Sequence, residues 1–177
     1  FRALVENCAK ALAFREVFVT ECIGGHPGRV RMLCHWQDDD FAEDVEYELA
    51  GTPCARTILE GRTTFIGDRL EALYPAWPGQ LAYLGVPVFE PDGATVAGHL
   101  AFYDDRPRAD IAALPVFRIL AARAGAELLR LRAEARARKH LATAATASRR
   151  AVIHDLASAI VHEINQPLTS VHAYAQA

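Results

Sequence analysis

The 177-residue chain lacks the features of membrane-spanning, disulfide-rich and zinc-binding proteins. No apolar run approaches 18 residues, so no segment is predicted to cross a bilayer. The four cysteines are 14, 12 and 20 residues apart and form no CxxC pair, which argues against a zinc site and a disulfide scaffold. We therefore expect a cytoplasmic protein with reduced thiols and no metal ion.

Glycine, proline and aromatic residues are scarce in the last third of the chain. Ten of the 11 glycines lie at or before Gly98, and seven of the nine prolines precede residue 110. Turns are therefore predicted before residue 110 and helix after it. Residues 116–150 hold nine Lys or Arg against two Asp or Glu, without an aromatic side chain after Phe117 to stack on a base. We expect a solvated helix face there rather than a nucleic-acid partner.

The first 110 residues contain both helix and strand patterns, which predict an α+β fold. Thr52 followed by Pro53 is typical of a helix start, and Gly61 of its end near Glu60. The remaining predicted elements are an opening helix at 3–13, a hairpin of strands at 16–23 and 29–36, a short strand at 63–66, and a second hairpin at 81–89 and 95–103.

Within residues 29–36, every second side chain is apolar. Because strand side chains alternate between faces, this pattern predicts one buried face and one solvated face. The predicted buried face consists of Val30, Met32, Cys34 and Trp36.

From about Leu114 the sequence predicts a helix of some 40 residues, far longer than the usual length of about 11–12. Residues 142–151 contain only Ala, Thr, Ser and Arg. Without a large apolar side chain, this segment is expected to pack weakly against a partner helix. A helix of this length needs a partner, so we expect a parallel homodimer through these helices.

The most specific motif of the sequence is the segment His162-Glu163-Ile164-Asn165-Gln166-Pro167-Leu168. Apolar residues recur every four positions from Leu156 to Leu168, and at about 100° per residue His162 lies about 200° from that stripe. Its imidazole is expected to be exposed, and Glu163 is placed to accept a proton. Pro167 is expected to bend the helix. A plain surface histidine on a kinked helix is the alternative.

This segment resembles the H-box of two-component sensor histidine kinases, in the variant HExNQPL. The resemblance covers Leu156 to about Tyr174 and implies that His162 accepts phosphate from ATP, with Glu163 as the base, and passes it to an Asp of a response regulator. In many such kinases the fourth residue after the histidine is Thr or Asn and positions a water for phosphatase activity. Here that position holds Gln166, which leaves the phosphatase activity open.

The segments ELAGTPC at 48–54, YLGVPV at 83–88 and GHLA at 98–101, with AARAGAEL at 121–128, resemble a GAF domain of the GTPC type. The resemblance covers about residues 1–130 and implies an antiparallel sheet with helices on one face and a ligand-sized cavity on the other. GAF domains bind different small molecules or none, so the ligand stays unknown. The aromatic residues expected to line a pocket are Trp36, Phe65, Tyr83 and Phe102.

Three sites in this domain have two possible interpretations each, a specific chemical role and a structural one. Cys54 at a helix start could be a reactive thiolate or a packing residue. Cys34-His35 could attach a bilin, and His99 could bind haem. The plainer expectation is that Cys34 and His35 belong to a strand and that His99 is half-buried in one.

Together these features predict residues 1–113 as a GAF sensory domain, 114–148 as a signalling coiled coil, and 149–177 as the first helix of a dimerisation and phosphoacceptor domain. We expect the chain to be a piece of a longer kinase, because no ATP-binding segment occurs in it. The alternative is a GAF module that binds a ligand or dimerises to regulate a partner, without phosphotransfer.

Overall fold

A computed structural model describes residues 1–23, 28–43, 45–109 and 115–175, with the side chains in the last range described to residue 150 and at Ile153 and Leu156. The chain divides into two units, Phe1–Arg130 and Leu131–Ala177. The helices are α1 (Arg2–Leu12), α2 (Pro53–Glu60), α3 (Leu70–Leu73) and α4 (Pro115–Ala175). The strands are β1 (Glu16–Cys22), β2 (Arg29–Gln37), β3 (Asp40–Ala42), β4 (Glu46–Glu48), β5 (Thr64–Ile66), β6 (Ala82–Phe89) and β7 (Val96–Asp104).

The strands form one antiparallel sheet in the order β3-β2-β1-β7-β6-β5, with β4 paired to the other end of β2. The predicted α+β fold, an antiparallel sheet with flanking helices and a long C-terminal helix, is confirmed. Helix α2 has its predicted ends: the Thr52 hydroxyl accepts the N–H of Ala55 at 3.3 Å, and Gly61 closes the helix with a φ of 61°.

The two faces of the sheet are covered by different elements. One face, here called the helix-packed face, is covered by α1 and the first turns of α4 and is almost wholly apolar. Phe102 on β7 packs there against Phe117 on α4, with ring centroids 5.2 Å apart. The other face, here called the polar face, is covered by α2, Leu70 of α3 and the neighbouring loops. Helices therefore lie on both faces.

A bulge in β2 corrects the predicted alternation of that strand. Val19 pairs with Cys34 and Thr20 with Met32, so Leu33 is an extra residue. Val30 and Met32 consequently pack on the polar face, whereas Cys34 and Trp36 pack on the helix-packed face. The four residues do not share a face, because one inserted residue reverses the direction of every side chain beyond it.

Helix α4 begins on the sheet and runs on without interruption through residues 142–151. Phe117, Ala121, Ala124 and Leu128 are buried and belong to the unit Phe1–Arg130. Farther along, Leu141 is 71% exposed. Within the residues that the structure describes, none of the helices combines the length and apolarity needed to span a bilayer.

Gly98 is predicted to be indispensable to the pairing of β1 with β7. A Cβ at this position would lie 1.9 Å from the backbone oxygen of Thr20, whereas a Cβ at Gly28 would meet no atom of the described residues within 4 Å. Because strand backbone cannot yield cheaply, Gly98→Ala should lower the free energy of unfolding by about 3 kcal/mol. Gly28→Ala should change it by less than about 0.5 kcal/mol. Urea unfolding of both variants measures this, and equal midpoints would contradict the close approach.

Candidate functional site

The polar face is buried although many of its side chains carry hydrogen-bonding groups. Alternate residues of β1, β7 and β6 point to it, and α2 and the segment before β6 cover it. The helix-packed face holds no comparable set of polar groups among the described residues. The polar side chains of the polar face are Glu16, Thr20, His35, Thr57, Tyr83, His99 and Tyr103, with Tyr47, Cys54 and Gln80 above them.

One part of this face is a cluster of hydroxyl and thiol groups beneath α2. The Cys54 sulfur lies 3.3 Å from the Tyr103 hydroxyl, and the Thr57 hydroxyl lies 3.0 Å from that of Tyr83. Gly85 makes room for this second pair, since a Cβ there would lie 2.1 Å from the Tyr83 hydroxyl. Burial raises the pKa of Cys54, Tyr83 and Tyr103, so all three stay neutral.

A second part of the polar face is built around the carboxylate of Glu16. Its Oε1 lies 2.9 Å from His35 Nε2, and its Oε2 accepts a hydrogen bond from Gln80 Nε2 at 3.1 Å. The Glu16 side chain is only 12% exposed. Two further buried atoms, His35 Nδ1 and Gln80 Oε1, have no hydrogen-bond partner among the described residues. Buried polar groups are nearly always satisfied in folded proteins, so these two atoms mark a polar site.

Aromatic rings surround the same place. Phe18 meets the His35 ring edge-on at 5.5 Å and stacks on Tyr103 at 5.7 Å, and Tyr103 lies 4.9 Å from Tyr83. The Tyr47 hydroxyl is also buried, beside the Cys54 thiol, and its ring packs against this cluster. An enclosed carboxylate, unsatisfied acceptors and aromatic walls together can orient a small polar molecule.

His99 lies fully buried on β7, not half-buried as expected. The Thr20 hydroxyl accepts the backbone N–H of His99 at 3.3 Å and lies 2.6 Å from His99 Nδ1. Burial lowers the pKa of His99 to about 3, so the ring is neutral. Its Nε2 has no hydrogen-bond partner among the described residues.

The structure brings only one of the four predicted pocket aromatics to the polar face. Tyr83 lies there, whereas Trp36 and Phe102 belong to the core of the helix-packed face, and Phe65 packs against that core. Cys34 and His35 are neighbours in β2 but point to opposite faces. Glu16, Tyr47 and Gln80 were not predicted, because an acid at a strand start and a glutamine in a loop are typical of exposed positions.

The predicted phosphoacceptor segment falls mostly outside what the structure describes. His162, Glu163 and Gln166 lie within the backbone of α4, but their side chains lie outside the described residues. In the described part of the chain, no group of three or more His, Cys, Asp and Glu is arranged to hold a metal ion.

No family model and no curated protein sequence matches the chain. Solved structures do resemble it. The GAF domain of an Acinetobacter phosphoenolpyruvate-protein phosphotransferase is 14% identical, with a TM-score of 0.58 over 75% of this chain and 82% of that one. The second GAF domain of DevS from Mycobacterium smegmatis is 15% identical, with a TM-score of 0.58 over 77% of this chain and 95% of that one.

A type II free methionine-R-sulfoxide reductase from Thermoplasma acidophilum is also similar. It is 12% identical, with a TM-score of 0.56 over 70% of this chain and 86% of that one. At these identities the similarities show the fold alone: the chain has the fold of GAF domains.

The buried His99 is predicted to make stability depend on pH. The unfolded chain binds a proton on this ring below its ordinary pKa of about 6.5, whereas the folded ring binds none until about pH 3. Stability from this group is thus complete above about pH 6.5 and falls as pH drops toward 3. Between pH 7 and 5 the loss should be about 2 kcal/mol in the wild type.

Urea unfolding at both pH values measures this loss. His99→Gln should remove most of the difference, because it cannot take up the proton. The exposed His140 provides the matched control, and His140→Gln should retain the full difference. Identical pH dependence in the wild type and His99→Gln would contradict a neutral buried ring.

Cys54 is predicted to be unreactive in the folded protein. Burial raises its pKa, whereas the thiolate is the nucleophile. Iodoacetamide at pH 8 should therefore modify the half-buried Cys22 long before Cys54, and mass spectrometry of the peptides gives the order. In urea the two should react alike. Equal rates in the native protein would contradict a buried, neutral Cys54.

Proposed function

We propose that this chain is the sensory and phosphoacceptor part of a two-component sensor histidine kinase. Residues 1–113 sense a small molecule, 114–148 form the signalling coil, and 149–177 carry His162. The single observation that supports phosphotransfer is the HExNQPL sequence, which lies within a series of apolar residues spaced four apart, as on one face of a helix. The GAF fold and the unsatisfied polar groups of the polar face support the sensory part.

In the proposed reaction, an imidazole nitrogen of His162 attacks the γ-phosphorus of ATP. A nitrogen–phosphorus bond forms as the bond to the bridging oxygen breaks, ADP leaves, and Glu163 takes up the ring proton. The phosphoryl group then passes to an Asp of a response regulator. ATP is held by a kinase domain that is not among these 177 residues. Gln166 is the residue proposed to position water if the kinase also dephosphorylates its partner.

The proposed signal path uses a homodimer through α4. From Lys139 to Arg150 every side chain of this helix is exposed, and isolated helices are only marginally stable in water. A second copy would supply the missing packing, and a change in helix packing would carry the signal toward His162.

A second function differs in having no phosphotransfer: a GAF-fold module that binds a ligand and regulates a partner. The polar face supports it equally, since it does not depend on His162. Chemistry on a bound molecule by Cys54 has less support, because the thiol is buried and its pKa is raised.

Phosphorylation of His162 separates these two functions. The chain is incubated with radiolabelled ATP and a separately supplied histidine-kinase ATP-binding domain. We expect a label that is lost in acid, as a nitrogen–phosphorus bond is, and that disappears in His162→Gln. His154→Gln, which changes a histidine of the same helix outside the motif, should keep the label. Absence of label on the wild type would overturn the phosphoacceptor proposal and leave the binding module.

A further inference from the structure

We propose that the polar face binds a small organic cation with N–H groups, a primary or secondary alkylammonium ion. The site is formed by Glu16, His35 and Gln80. This inference rests on the proposed sensory function and names the chemical class of its ligand. It stands on three features of the polar face: a buried carboxylate, two unsatisfied acceptors and an aromatic wall.

The first feature is the negative charge of Glu16. Its side chain is largely buried, and no Lys or Arg of the described residues forms an ion pair with it. The neighbouring Arg15 is paired with Asp38 and Asp105 instead. A buried carboxylate is costly unless a counter-charge is provided. The His35 ring, whose Nε2 lies 2.9 Å from Glu16 Oε1, brings no charge when it is neutral, and a bound cation would then supply that charge.

The second feature is the pair of unsatisfied atoms beside the carboxylate. His35 Nε2 faces the Glu16 carboxylate, and in the neutral ring that donates from Nε2 the buried Nδ1 is a hydrogen-bond acceptor. Gln80 donates through Nε2 to the same carboxylate, which leaves its Oε1 as an acceptor. His35 is 9% exposed and Gln80 8% exposed. Two buried acceptors beside an anion would be satisfied by a ligand that carries N–H donors.

The third feature is the aromatic wall, the set of aromatic side chains around Glu16 and His35. Phe18 packs against His35, Tyr103 stacks on Phe18, and Tyr47 packs in the same cluster. Aromatic faces attract cations and repel anions. No arginine or lysine of the described residues is among the buried side chains, so a carboxylate on the ligand would find no counter-charge there. The site therefore favours an amine over an amino acid or an organic acid.

Calorimetric titration of the full chain tests the inference with three probes: ethylammonium, tetramethylammonium and acetate, as salts of matched ionic strength. Ethylammonium should bind saturably and raise Tm, because a ligand that binds only the folded state stabilises it. Tetramethylammonium, which has the charge but no N–H, should bind at least about tenfold more weakly, about 1.4 kcal/mol. Acetate should not bind.

Two carboxylates of β1 provide matched variants. Glu16→Gln removes the charge and should weaken ethylammonium binding by at least about tenfold, about 1.4 kcal/mol. Glu21→Gln changes a buried carboxylate of the same strand that is bonded to Arg31, and should keep the affinity. If Glu16→Gln does not fold, Gln80→Met removes one acceptor from a loop and should weaken binding in the same direction.

Ethylammonium binding that is absent, or equal in Glu16→Gln and the wild type, would overturn the inference and leave the polar groups satisfied by buried water. Preferential binding of acetate would overturn it too. Labelling of His162 is read separately and does not need an amine. If the chain is labelled but binds no amine, only this inference is overturned. If it binds the amine but is not labelled, only the phosphotransfer proposal is overturned.

Discussion

The arrangement of the two faces depends on the register between β1 and β2. The extra residue at Leu33 lets Cys34 and Trp36 enter the helix-packed face while His35 enters the polar face. If this sequence paired without the bulge, the residues beyond would point the other way: Cys34 would take the place of His35 opposite Phe18, and Trp36 would lie opposite Glu16. One inserted residue thus sets both the packing against α1 and the composition of the candidate site.

The two faces contribute differently to stability. The helix-packed face buries an apolar core that includes Phe102 and Phe117, and this removal of apolar surface from water is the main favourable term. On the polar face, each buried group without a partner costs about 1–3 kcal/mol. Among the described residues, the atoms of the polar face without a hydrogen-bond partner include His35 Nδ1, Gln80 Oε1 and His99 Nε2. The apolar core offsets this cost, so the fold tolerates polar groups on a buried face.

Local chemistry predicted most of the fold. The caps at Thr52 and Gly61 defined α2, and the two hairpins followed from alternation and turn residues. The elements that were missed, β3, β4 and α3, are three or four residues long and are held by pairing with β2 or by backbone bonds to Gln80 and Leu81. Such short segments carry too few side chains to show a period.

The candidate site was harder to predict because it depends on contacts distant in sequence. Glu16 and Gln80 are 64 residues apart, and only the folded sheet places one under the other. Aromatic content pointed to Trp36, Phe65 and Phe102, but composition does not tell which face a strand residue joins. One signal was present: in β1, Glu16, Phe18 and Thr20 alternate with Val17 and Val19. That pattern is usually attributed to a solvated face, and here the polar side is buried.

Strand β7 connects the candidate site to α4 through adjacent residues. Tyr103 bonds to Cys54 and stacks with Phe18 on the polar face, while Phe102 packs against Phe117 of α4 on the other. Because the interior is close-packed, a displacement of β7 at Tyr103 must act on the Phe102–Phe117 contact. Coupling of this kind transmits a signal only if the contact has two discrete arrangements that the ligand distinguishes. The polar face and the first turns of α4 are thus separated by the thickness of one strand, and the proposed sensing function would require two positions of β7.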